Sequence, residues 1–399
     1  MALRLGIGLH GKLNRGLGCA THLMLGPRLM STAALEVEVI RTHSNRVRAS
    51  TSDSSIASSA KDDVRTDWTK EEIQRIFDMP LLDLIHRAGV VHRKYFNSKE
   101  VQQCTLLSIK TGGCVEDCKY CSQSSKHKTA VKATPTMKVM EVIENARLAK
   151  LSGSTRFCMG AAWRDVGDKS DRKAFGSVLE MVRQVSGMGM EVCCTLGMLT
   201  PDQARQLKDA GLTAYNHNLD TSREFYPEVI TTRSYDDRLN TIKNVRDAGI
   251  SVCCGGILGL GEKETDRVGL LHTLATMPAH PESVPINALV PIDGTPLSSK
   301  EQVTALDMAR MIAAARIVMP KTMVRLSAGR LTFSQGEQAL MFLAGANSVF
   351  YGEKLLTAPN PQTDKDKILF NALGLQGKPP QIGNKQHAVN SGKPISFSI

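Results

Sequence analysis

Eight short runs of apolar or β-branched residues recur along the chain, and a segment with helical character follows each of them. Short apolar runs of this kind are typical of buried parallel strands. Their alternation with helices predicts an α/β fold, and eight such units predict a (β/α)8 barrel of the TIM type. An open doubly wound sheet is disfavoured, because no G-x-G-x-x-G motif follows the first strand. The predicted strands span residues 105–109, 155–159, 191–196, 213–218, 251–257, 284–289, 322–326 and 348–351.

Helical segments precede the barrel and connect its strands. Thr69 and Glu72 fit a capping box that begins a helix, and residues 80–96 continue as a second helix, which together predict an N-terminal helical lead-in. Because barrel active sites lie at the carboxyl ends of strands, functional residues are expected in the loops that follow the strands. The clearest predicted helices within the barrel span residues 171–186, 201–210, 235–248 and 305–318.

The two ends of the chain are predicted to lie outside the barrel domain, which spans residues 66–373. Residues 1–65 read as a targeting segment and linker, since no Asp or Glu precedes Glu36 whereas Arg and Lys are spaced among Leu and Met. This composition is typical of an organellar transit peptide, and its Arg content favours the mitochondrial matrix over a plastid. Residues 374–399 are polar and rich in Gly and Pro, which predicts a disordered tail.

Composition argues against two kinds of partner. The net charge is +11, but the basic residues are scattered and aromatic residues make up only 5% of the chain, so we expect no nucleic-acid partner. No apolar run approaches the roughly 18 residues that a membrane-spanning helix requires, so we expect no membrane partner.

Three cysteines in one short loop give the clearest functional signal. Cys114, Cys118 and Cys121 form a C-x3-C-x2-C pattern directly after the first predicted strand, in the run TGGCVEDCKYCSQ. Three thiolates leave the fourth iron of a 4Fe–4S cluster without a protein ligand, and an open position lets a metal site act on a bound molecule. Tyr120 adds an aromatic ring that could lie against a flat ligand.

Two other interpretations of the three loop cysteines are a zinc site and a disulfide framework. A zinc site would need a fourth ligand, and His127 is near enough in the chain to supply it. A disulfide framework is disfavoured, since the chain is long and has no secretory signal.

A second group of thiols lies on separate strands. Cys158, Cys193 and Cys253 fall in the second, third and fifth predicted strands. A single buried cysteine is commonly a core residue. However, inward side chains of neighbouring barrel strands converge in layers, so these three are predicted to meet, whereas the cysteine that follows each of the last two faces the helices. Arg325, in the seventh strand, is a buried cation that needs a partner at this depth.

Polar side chains follow the fourth strand. Asn216, Asn218 and Asp220 are two residues apart, so in an extended chain they point the same way, toward the barrel mouth. Two amides and a carboxylate suit hydrogen bonding to a ureido or ribose group, although an Asx-rich turn has the same composition. Arg238, in the next helix, is a candidate partner for a carboxylate, with a solvated helix face as the alternative.

Six long motifs occur in order along the chain: LLSIKTGGCVEDCKYCSQ, STRFCMGAAWR, YNHNLDTSREFY, VPINALVPIDGTPL, VRLSAGR and AGANSVFYGEKLLT. The first resembles the cluster loop of the radical S-adenosylmethionine (SAM) enzymes, and together the six resemble the biotin synthase family, with a resemblance that covers roughly residues 77–373. The resemblance implies a TIM-barrel homodimer that inserts sulfur into dethiobiotin to form biotin. It also implies a ferredoxin- or flavodoxin-type electron donor and a dependence on the iron–sulfur assembly machinery.

The resemblance also assigns residues to the two clusters and the small molecules. The ligands that it implies for a 4Fe–4S cluster, whose open iron takes SAM, are Cys114, Cys118 and Cys121. Those that it implies for a 2Fe–2S cluster are Cys158, Cys193, Cys253 and Arg325. The residues that it implies around SAM and dethiobiotin are Asn216, Asn218, Asp220 and, near the SAM carboxylate, Arg238.

The chain departs from the pattern of the biotin synthase family near its C-terminal motif. Ala358, after Thr357, stands where some relatives carry a second hydroxyl, which bears on how the substrate carboxylate is held. The choice of Cys193 over Cys194, and of Cys253 over Cys254, rests on motif alignment and strand alternation.

Three other functions are alternatives to a biotin synthase. They are another radical SAM enzyme such as a lipoyl synthase-like sulfur inserter, a non-catalytic iron–sulfur electron carrier, and a zinc-binding structural protein.

Overall fold

The predicted barrel is present in the computed structural model, which describes residues 64–166 and 169–380. The strands are β1 (Glu100–Lys110), β2 (Arg156–Ala161), β3 (Glu191–Thr195), β4 (Ala214–Asn216), β5 (Ser251–Cys253), β6 (Gly256–Leu258), β7 (Ser283–Ala288), β8 (Met323–Leu326), β9 (Ser348–Phe350) and β10 (Gln376–Gly377). The helices are α1 (Lys70–Phe77), α2 (Leu81–Tyr95), α3 (Val139–Leu151), α4 (Lys169–Gly187), α5 (Pro201–Asp209), α6 (Tyr235–Asp247), α7 (Glu264–Ala275), α8 (Ala305–Val318), α9 (Gln335–Leu343) and α10 (Thr363–Leu373).

Parallel pairing closes the strands into a barrel. β1 pairs with β2 on one side and with β9 on the other, and the order between them is β2, β3, β4, β5, β7, β8 and β9. β6 pairs with β7 and extends the position begun by β5, so the ring has eight positions. Each of the eight predicted strands coincides with one position, and helices alternate with them. The prediction of a TIM-type (β/α)8 barrel is therefore confirmed.

One predicted strand is divided in two by its neighbour. The run 251–257 forms β5 and β6, and the break lies opposite Pro285 of β7, which has no N–H to give to the ladder. A Cβ at Gly255 would lie 2.0 Å from the Pro285 carbonyl oxygen, so only glycine fits there. The Gly255 carbonyl instead accepts the N–H groups of Leu219 and Asp220, each at 3.1 Å. This break therefore fixes the chain that follows β4.

Helix boundaries follow the local signals in the sequence. The capping-box pairs that begin α1, α5 and α6 are Thr69 with Glu72, Thr200 with Gln203, and Ser234 with Asp237. In each pair a hydroxyl accepts a backbone N–H and the longer side chain accepts the cap N–H, which satisfies two groups that the helix leaves unpaired. Gly211 and Gly249, with φ of +98° and +70°, come directly after the last turns of α5 and α6.

The lead-in helices pack against the last third of the barrel. α1 lies on α7 and α8, and α2 lies along α8. The Trp68 indole N–H donates to the Val318 carbonyl at 3.1 Å, and an Arg310 guanidinium nitrogen donates to the Met79 carbonyl at 2.8 Å. Among the residues that the structure describes, no helix is long and apolar enough to cross a membrane.

The chain ends differ from the sequence expectation at one place. The transit peptide and most of the linker, residues 1–63, lie outside the described residues. The tail was predicted to begin at residue 374, but β10 pairs with β1 in parallel register. The Gln376 N–H donates to the Lys99 carbonyl at 2.7 Å, and the Lys378 N–H donates to the Val101 carbonyl at 2.9 Å. The polar residues of β10 pair with β1 through backbone hydrogen bonds, which do not require regularly spaced apolar side chains.

Candidate functional site

A cavity of about 340 Å³ opens at the carboxyl ends of the barrel strands. This is the end at which TIM barrels place their active sites. Both predicted groups of cysteines reach it. The predicted site residues that line it are Cys114, Cys118, Tyr120, Cys121, Cys158, Cys193, Asn216, Asn218, Asp220, Arg238 and Arg325. Thr357 and Ala358 lie at the same cavity, and Cys253 alone of the predicted residues is buried without lining it.

The cysteine loop is folded back on itself after β1. Gly112 and Gly113 both have positive φ, near +70°, which turns the chain out of the strand. The Cys114 N–H donates to the Gln123 carbonyl at 3.0 Å, and the Cys121 N–H donates to the Cys118 carbonyl at 2.9 Å. These bonds bring the two ends of the loop together, so its three thiols face one space.

The thiols of this loop are poor acids without a metal. Burial raises the pKa of Cys118 to about 12 and that of Cys121 to about 11, and it also raises the pKa of Cys114. A thiolate is the form that binds metal, so an iron cluster would supply the positive charge that these buried sulfurs lack. Three free thiols facing one cavity fit a cluster bound at this loop.

The zinc interpretation of the loop is not supported. The Nε2 atom of His127 lies 3.0 Å from the Cys118 carbonyl oxygen, so its ring is directed at the backbone. Within residues 64–166 and 169–380, no three His, Cys, Asp or Glu side chains converge closely enough to hold a single metal ion. A cluster binds each thiolate to a different iron, so its ligands do not need to converge on one point.

The strand cysteines meet deeper in the barrel. Cys158 and Cys193 are direct partners in the β2–β3 register and pack in one small cluster of buried side chains. Cys194 and Cys254 belong instead to the main core between the strands and the helices, as the strand alternation predicted. A hydrogen bond with Cys158 lowers the pKa of the Cys193 thiol, and the charges of Arg156 and Arg325 lower it further, against the effect of burial.

Arg325 lies beside Cys253 and also lines the cavity. Its Nη1 donates to the Cys253 sulfur at 3.5 Å, its Nε donates to the Ser348 hydroxyl at 2.9 Å, and its Nη2 donates to Gln102 Oε1 at 3.2 Å. The guanidinium also lies over the Phe350 ring, 5.0 Å from its centroid. The sulfurs are therefore the groups here that could supply a negative charge to balance this buried cation.

The polar residues after β4 are held by a buried ion pair. Asp220 adopts a left-handed conformation, with φ of +68°, and its Oδ2 lies 2.7 Å from Arg238 Nη2 without the alignment of a hydrogen bond. The same oxygen accepts the Tyr120 hydroxyl at 2.8 Å. Burial raises the pKa of Tyr120 well above its usual value, so its hydroxyl keeps the proton that it donates. Arg238 is thus buried at the cavity and does not lie on a solvated helix face.

The structure adds two groups that sequence reasoning missed. The indole nitrogen of Trp163, after β2, is buried beside the cavity and has no hydrogen-bond partner within the described chain, so it could donate to a ligand. Glu116, inside the cysteine loop, is also buried there, with Oε1 3.9 Å from Arg233 Nε and 3.5 Å from Arg164 Nε. The sequence signal was present, because both residues lie within the motifs that carry the resemblance.

The barrel and its cysteine loop are those of a radical SAM enzyme. The Radical SAM superfamily model matches residues 108–274, and the model of the Biotin and Thiamin Synthesis associated domain matches residues 285–376. A methylornithine synthase structure has a TM-score of 0.67 at 18% identity, covering 78% of this chain and 94% of that one. The FeFe-hydrogenase maturase HydG from Carboxydothermus hydrogenoformans has a TM-score of 0.65 at 17% identity, covering 76% and 75%. These two structures support the fold alone.

Sequence similarity gives the family within this class. The mitochondrial biotin synthase of Arabidopsis thaliana is 62% identical over 84% of this chain and 88% of its own length. The biotin synthase of Schizosaccharomyces pombe is 62% identical over 80% and 88%, and the mitochondrial one of Emericella nidulans is 57% identical over 78% of each chain. The chain belongs to the biotin synthase family. The electron-carrier, zinc-protein and lipoyl synthase-like alternatives are thereby excluded.

Proposed function

We propose that the protein converts dethiobiotin to biotin by inserting sulfur in a SAM-dependent radical reaction. The observation that carries this proposal is that loop cysteines and strand cysteines line one cavity at the barrel mouth. A reaction that generates a carbon radical and then captures sulfur needs both functions within reach of one substrate. The barrel domain proposed to carry out this reaction spans residues 66–373 and is followed by β10, which pairs with β1.

The loop is proposed to hold the cluster that binds SAM. Cys114, Cys118 and Cys121 supply three thiolates, which leaves one iron open for the amino and carboxylate groups of SAM. The fold-back of the loop positions these sulfurs, and the hydrogen bonds that close it are made by the backbone. The surrounding charges, Glu116 with Arg233 and Arg164, lie close enough to orient a zwitterionic group.

The strand residues are proposed to hold a second cluster, of the 2Fe–2S type. Cys158, Cys193 and Cys253 supply thiolates, with Arg325 as the fourth member of the set that the resemblance implies. Burial of these side chains keeps bulk water from the sulfur. With both clusters and SAM bound, the available chemistry is reductive cleavage of SAM to a 5′-deoxyadenosyl radical, hydrogen removal from dethiobiotin, and sulfur transfer to the resulting carbon radicals.

The polar residues between the two sets are proposed to position the small molecules. Asn218 Oδ1 accepts the Gly255 N–H at 3.2 Å, which fixes the amide so that its NH2 can donate to a ligand. Asn216 and Asp220 line the same wall, and Tyr120 and Arg238 hold Asp220 in place. We propose that Arg238 acts near the SAM carboxylate and that this wall binds the ribose and the ureido ring.

Exclusion of water is the remaining contribution of the protein. A primary carbon radical reacts with any group in reach, so its surroundings must be inert and dry. Among the apolar side chains that line the cavity are Leu106, Ile257, Leu289, Phe350, Leu355 and Leu356. Their aliphatic and aromatic surfaces offer the substrate a dry path between the two sets of cysteines.

The cellular setting is proposed from the sequence and the relatives. We propose that residues 1–65 contain a mitochondrial transit peptide and that the protein acts in the matrix as a homodimer. Two relatives in the biotin synthase family carry mitochondrial names, which agrees with this composition. The electron donor is proposed to be a small ferredoxin- or flavodoxin-type protein, and the clusters are proposed to come from the iron–sulfur assembly machinery.

An anaerobic assay tests the proposal. Protein reconstituted with iron and sulfide would be incubated with SAM, dethiobiotin and a reductant, and 5′-deoxyadenosine and biotin would be measured. We expect both products, formed together and dependent on dethiobiotin. Formation of 5′-deoxyadenosine without biotin would keep the radical SAM class and contradict sulfur insertion, and formation of neither would contradict the whole proposal.

A further inference from the structure

The chain that follows the cysteine loop is basic and carries no acid. Between Asp117 and Glu141 there is no Asp or Glu, whereas the same stretch has five lysines. Within the part of the chain that the structure describes, the four that come after the last loop cysteine form no side-chain ion pair or hydrogen bond. Their ammonium groups are therefore open to an outside partner. These four exposed residues are Lys126, Lys128, Lys132 and Lys138.

Backbone hydrogen bonds hold this basic segment against the cysteine loop. The Ser125 N–H donates to the Cys114 carbonyl at 2.7 Å, directly before Lys126. The Thr134 N–H donates to the Thr111 carbonyl at 2.8 Å, two residues after the third of the exposed lysines. The segment is thus fixed to the loop at two points, and three of the four exposed lysines lie between them.

The cysteine loop also presents one apolar side chain to solvent. Cys114 and Glu116 line the cavity, whereas Val115 between them does not line it and is 55% exposed. The exposed lysines do not line the cavity either. The loop therefore has an inner side, which faces the cavity, and an outer side, which a second molecule can reach while the cavity is occupied.

The proposed reaction needs a partner on the outer side of the loop. Each SAM that is cleaved takes up one electron, which a donor protein loses. SAM and dethiobiotin occupy the cavity, so the donor has to approach the loop from outside. Weak electron-transfer complexes have small interfaces, and complementary charge raises their rate of association. Exposed lysines beside a small apolar contact are suited to a partner whose own surface is acidic.

We propose that Val115, Lys126, Lys128 and Lys132 form a donor surface, at which an acidic one-electron carrier docks to reduce the loop site. The inference rests on the proposed function, because it presupposes a cluster at the loop that is reduced from outside. It adds the chemistry of the partner, which is a small redox protein with carboxylates around its redox group. An anionic membrane would attract the same lysines, but one exposed apolar side chain offers little area to bury in lipid.

Charge reversal on the donor surface, with a matched control elsewhere, tests the proposal. Lys126→Glu/Lys128→Glu alters the surface. Lys94→Glu/Lys99→Glu makes the same change in net charge at two exposed lysines just before β1, at the opposite end of that strand from the loop. The probe is a reduced plant-type 2Fe–2S ferredoxin with an acidic pI. Thermal unfolding would check that both variants are folded.

Two quantities would be measured for each reconstituted full-length protein. The first is the Kd for ferredoxin at low and at high salt. The second is the rate of 5′-deoxyadenosine formation, with ferredoxin as the donor and, in a parallel reaction, with dithionite. Dithionite is a small molecule that does not need a protein docking surface, so it separates docking from the reaction in the cavity.

The proposal predicts that Lys126→Glu/Lys128→Glu raises the Kd and the KM for ferredoxin by about tenfold or more at low salt. High salt should reduce the difference from wild type, because it screens exposed charges. With dithionite, the variant should keep the wild-type rate. Lys94→Glu/Lys99→Glu should match the wild type with both reductants.

Three results would overturn the donor surface. They are unchanged ferredoxin binding in Lys126→Glu/Lys128→Glu, equal weakening in both double variants, and loss of binding to anionic phospholipid vesicles in the loop-side variant while ferredoxin binding stays unchanged. The proposed function would survive each of them if dithionite still supports biotin formation. Absence of 5′-deoxyadenosine from wild type with dithionite would contradict the proposed function itself, and with it the reason for a donor.

Discussion

The two groups of cysteines in this barrel differ in how the chain brings them together. Cys114, Cys118 and Cys121 lie within eight residues and are gathered by the hydrogen bonds of one loop. The strand set of Cys158, Cys193 and Cys253 is gathered by barrel closure, although Cys158 and Cys253 lie 95 residues apart in the sequence. A contiguous site can be recognised from spacing alone, whereas a dispersed site depends on strand register, where a shift of one residue would turn each sulfur away.

Their electrostatic settings differ as well. Burial raises the pKa of all three loop thiols. Among the strand thiols the effects are mixed, because the hydrogen bond with Cys158 lowers the pKa of Cys193, whereas hydrogen bonds with neighbouring thiols raise the pKa of Cys158 and burial raises that of Cys253. The strand site also has a cation in direct contact with a sulfur, since Arg325 donates to Cys253. We expect the two sites to respond differently to substitution.

The largest effect is expected at the loop. Cys118→Ala removes a ligand from a set of three, so we predict that SAM cleavage falls by about 100-fold or more, the upper range for disturbing the surroundings of a metal site. The measurement is 5′-deoxyadenosine formed per chain under reducing conditions. As a control, Cys194→Ala removes a buried thiol that packs in the core outside the site, and it should keep the wild-type rate. Unchanged SAM cleavage in Cys118→Ala would remove the loop from the mechanism.

A substitution in the strand set should separate the two activities. Cys193→Ala is predicted to lower biotin formation by about 100-fold while SAM cleavage stays within about tenfold of wild type, because the loop cluster and its ligands are untouched. Both products would be quantified in one reaction. Equal loss of both would contradict two separate sites and indicate one interdependent metal centre.

The contact between the cysteine loop and the chain that follows β4 should have a large effect on stability. Asp220 accepts from Tyr120 of the loop and pairs with Arg238, and the side chains of Asp220 and Arg238 are both buried. Asp220→Ala leaves the Arg238 charge buried without its partner, which should cost about 3–5 kcal/mol. The free energy of unfolding from denaturant titration measures this loss.

An exposed ion pair provides the matched control for that change. Asp202 pairs with Arg205 at 3.2 Å on the surface of α5, where both side chains are more than 60% exposed. Asp202→Ala should cost less than about 1 kcal/mol. Comparable losses in the two variants would mean that the buried pair does not stabilise the connection between the loop and β4.

The smallest effect is expected in the lead-in, away from both sites. Burial lowers the pKa of His92 in α2 to about 3, with Arg316 and Arg93 adding to the effect. The unfolded chain takes up a proton near pH 6.5 and the native chain does not, so stability is present above that pH and falls as the pH decreases. The loss is about 1.4 kcal/mol for each pH unit below that point.

In the His92→Phe variant, unfolding at acidic pH should take up one proton fewer than in the wild type. Its unfolding free energy should fall less steeply than that of wild type between pH 6.5 and pH 4.5, while both cluster signals stay unchanged. An identical slope in the two proteins would show that His92 is accessible to protons in the native state.

Most of the fold could be predicted, because its signals are local. The eight apolar runs and the capping pairs at Thr200 and Ser234 depend on neighbouring residues alone. The division of β5 from β6 depends on Pro285, thirty residues further along the chain, and β10 is held by backbone bonds to β1. Such features arise from contacts between distant segments, which local patterns do not report.

The candidate site could be predicted in part, for the same reason. Strand alternation brought Cys158 and Cys193 together, and the structure has them as register partners. Strand alternation did not predict that Arg238 pairs with Asp220, because a residue early in a helix is equally often exposed to solvent. Cys104, which packs with Cys158 and Cys193, was missed because the predicted first strand began at Thr105, whereas β1 begins at Glu100.

The central claim is that two separate clusters occupy the two groups of cysteines. The most direct test is the Mössbauer spectrum of anaerobically reconstituted protein, wild type beside Cys193→Ala. We predict 4Fe–4S and 2Fe–2S signals in the wild type and selective loss of the 2Fe–2S signal in the variant. A single 4Fe–4S signal, unchanged by the substitution, would contradict the account and leave the strand cysteines as core residues.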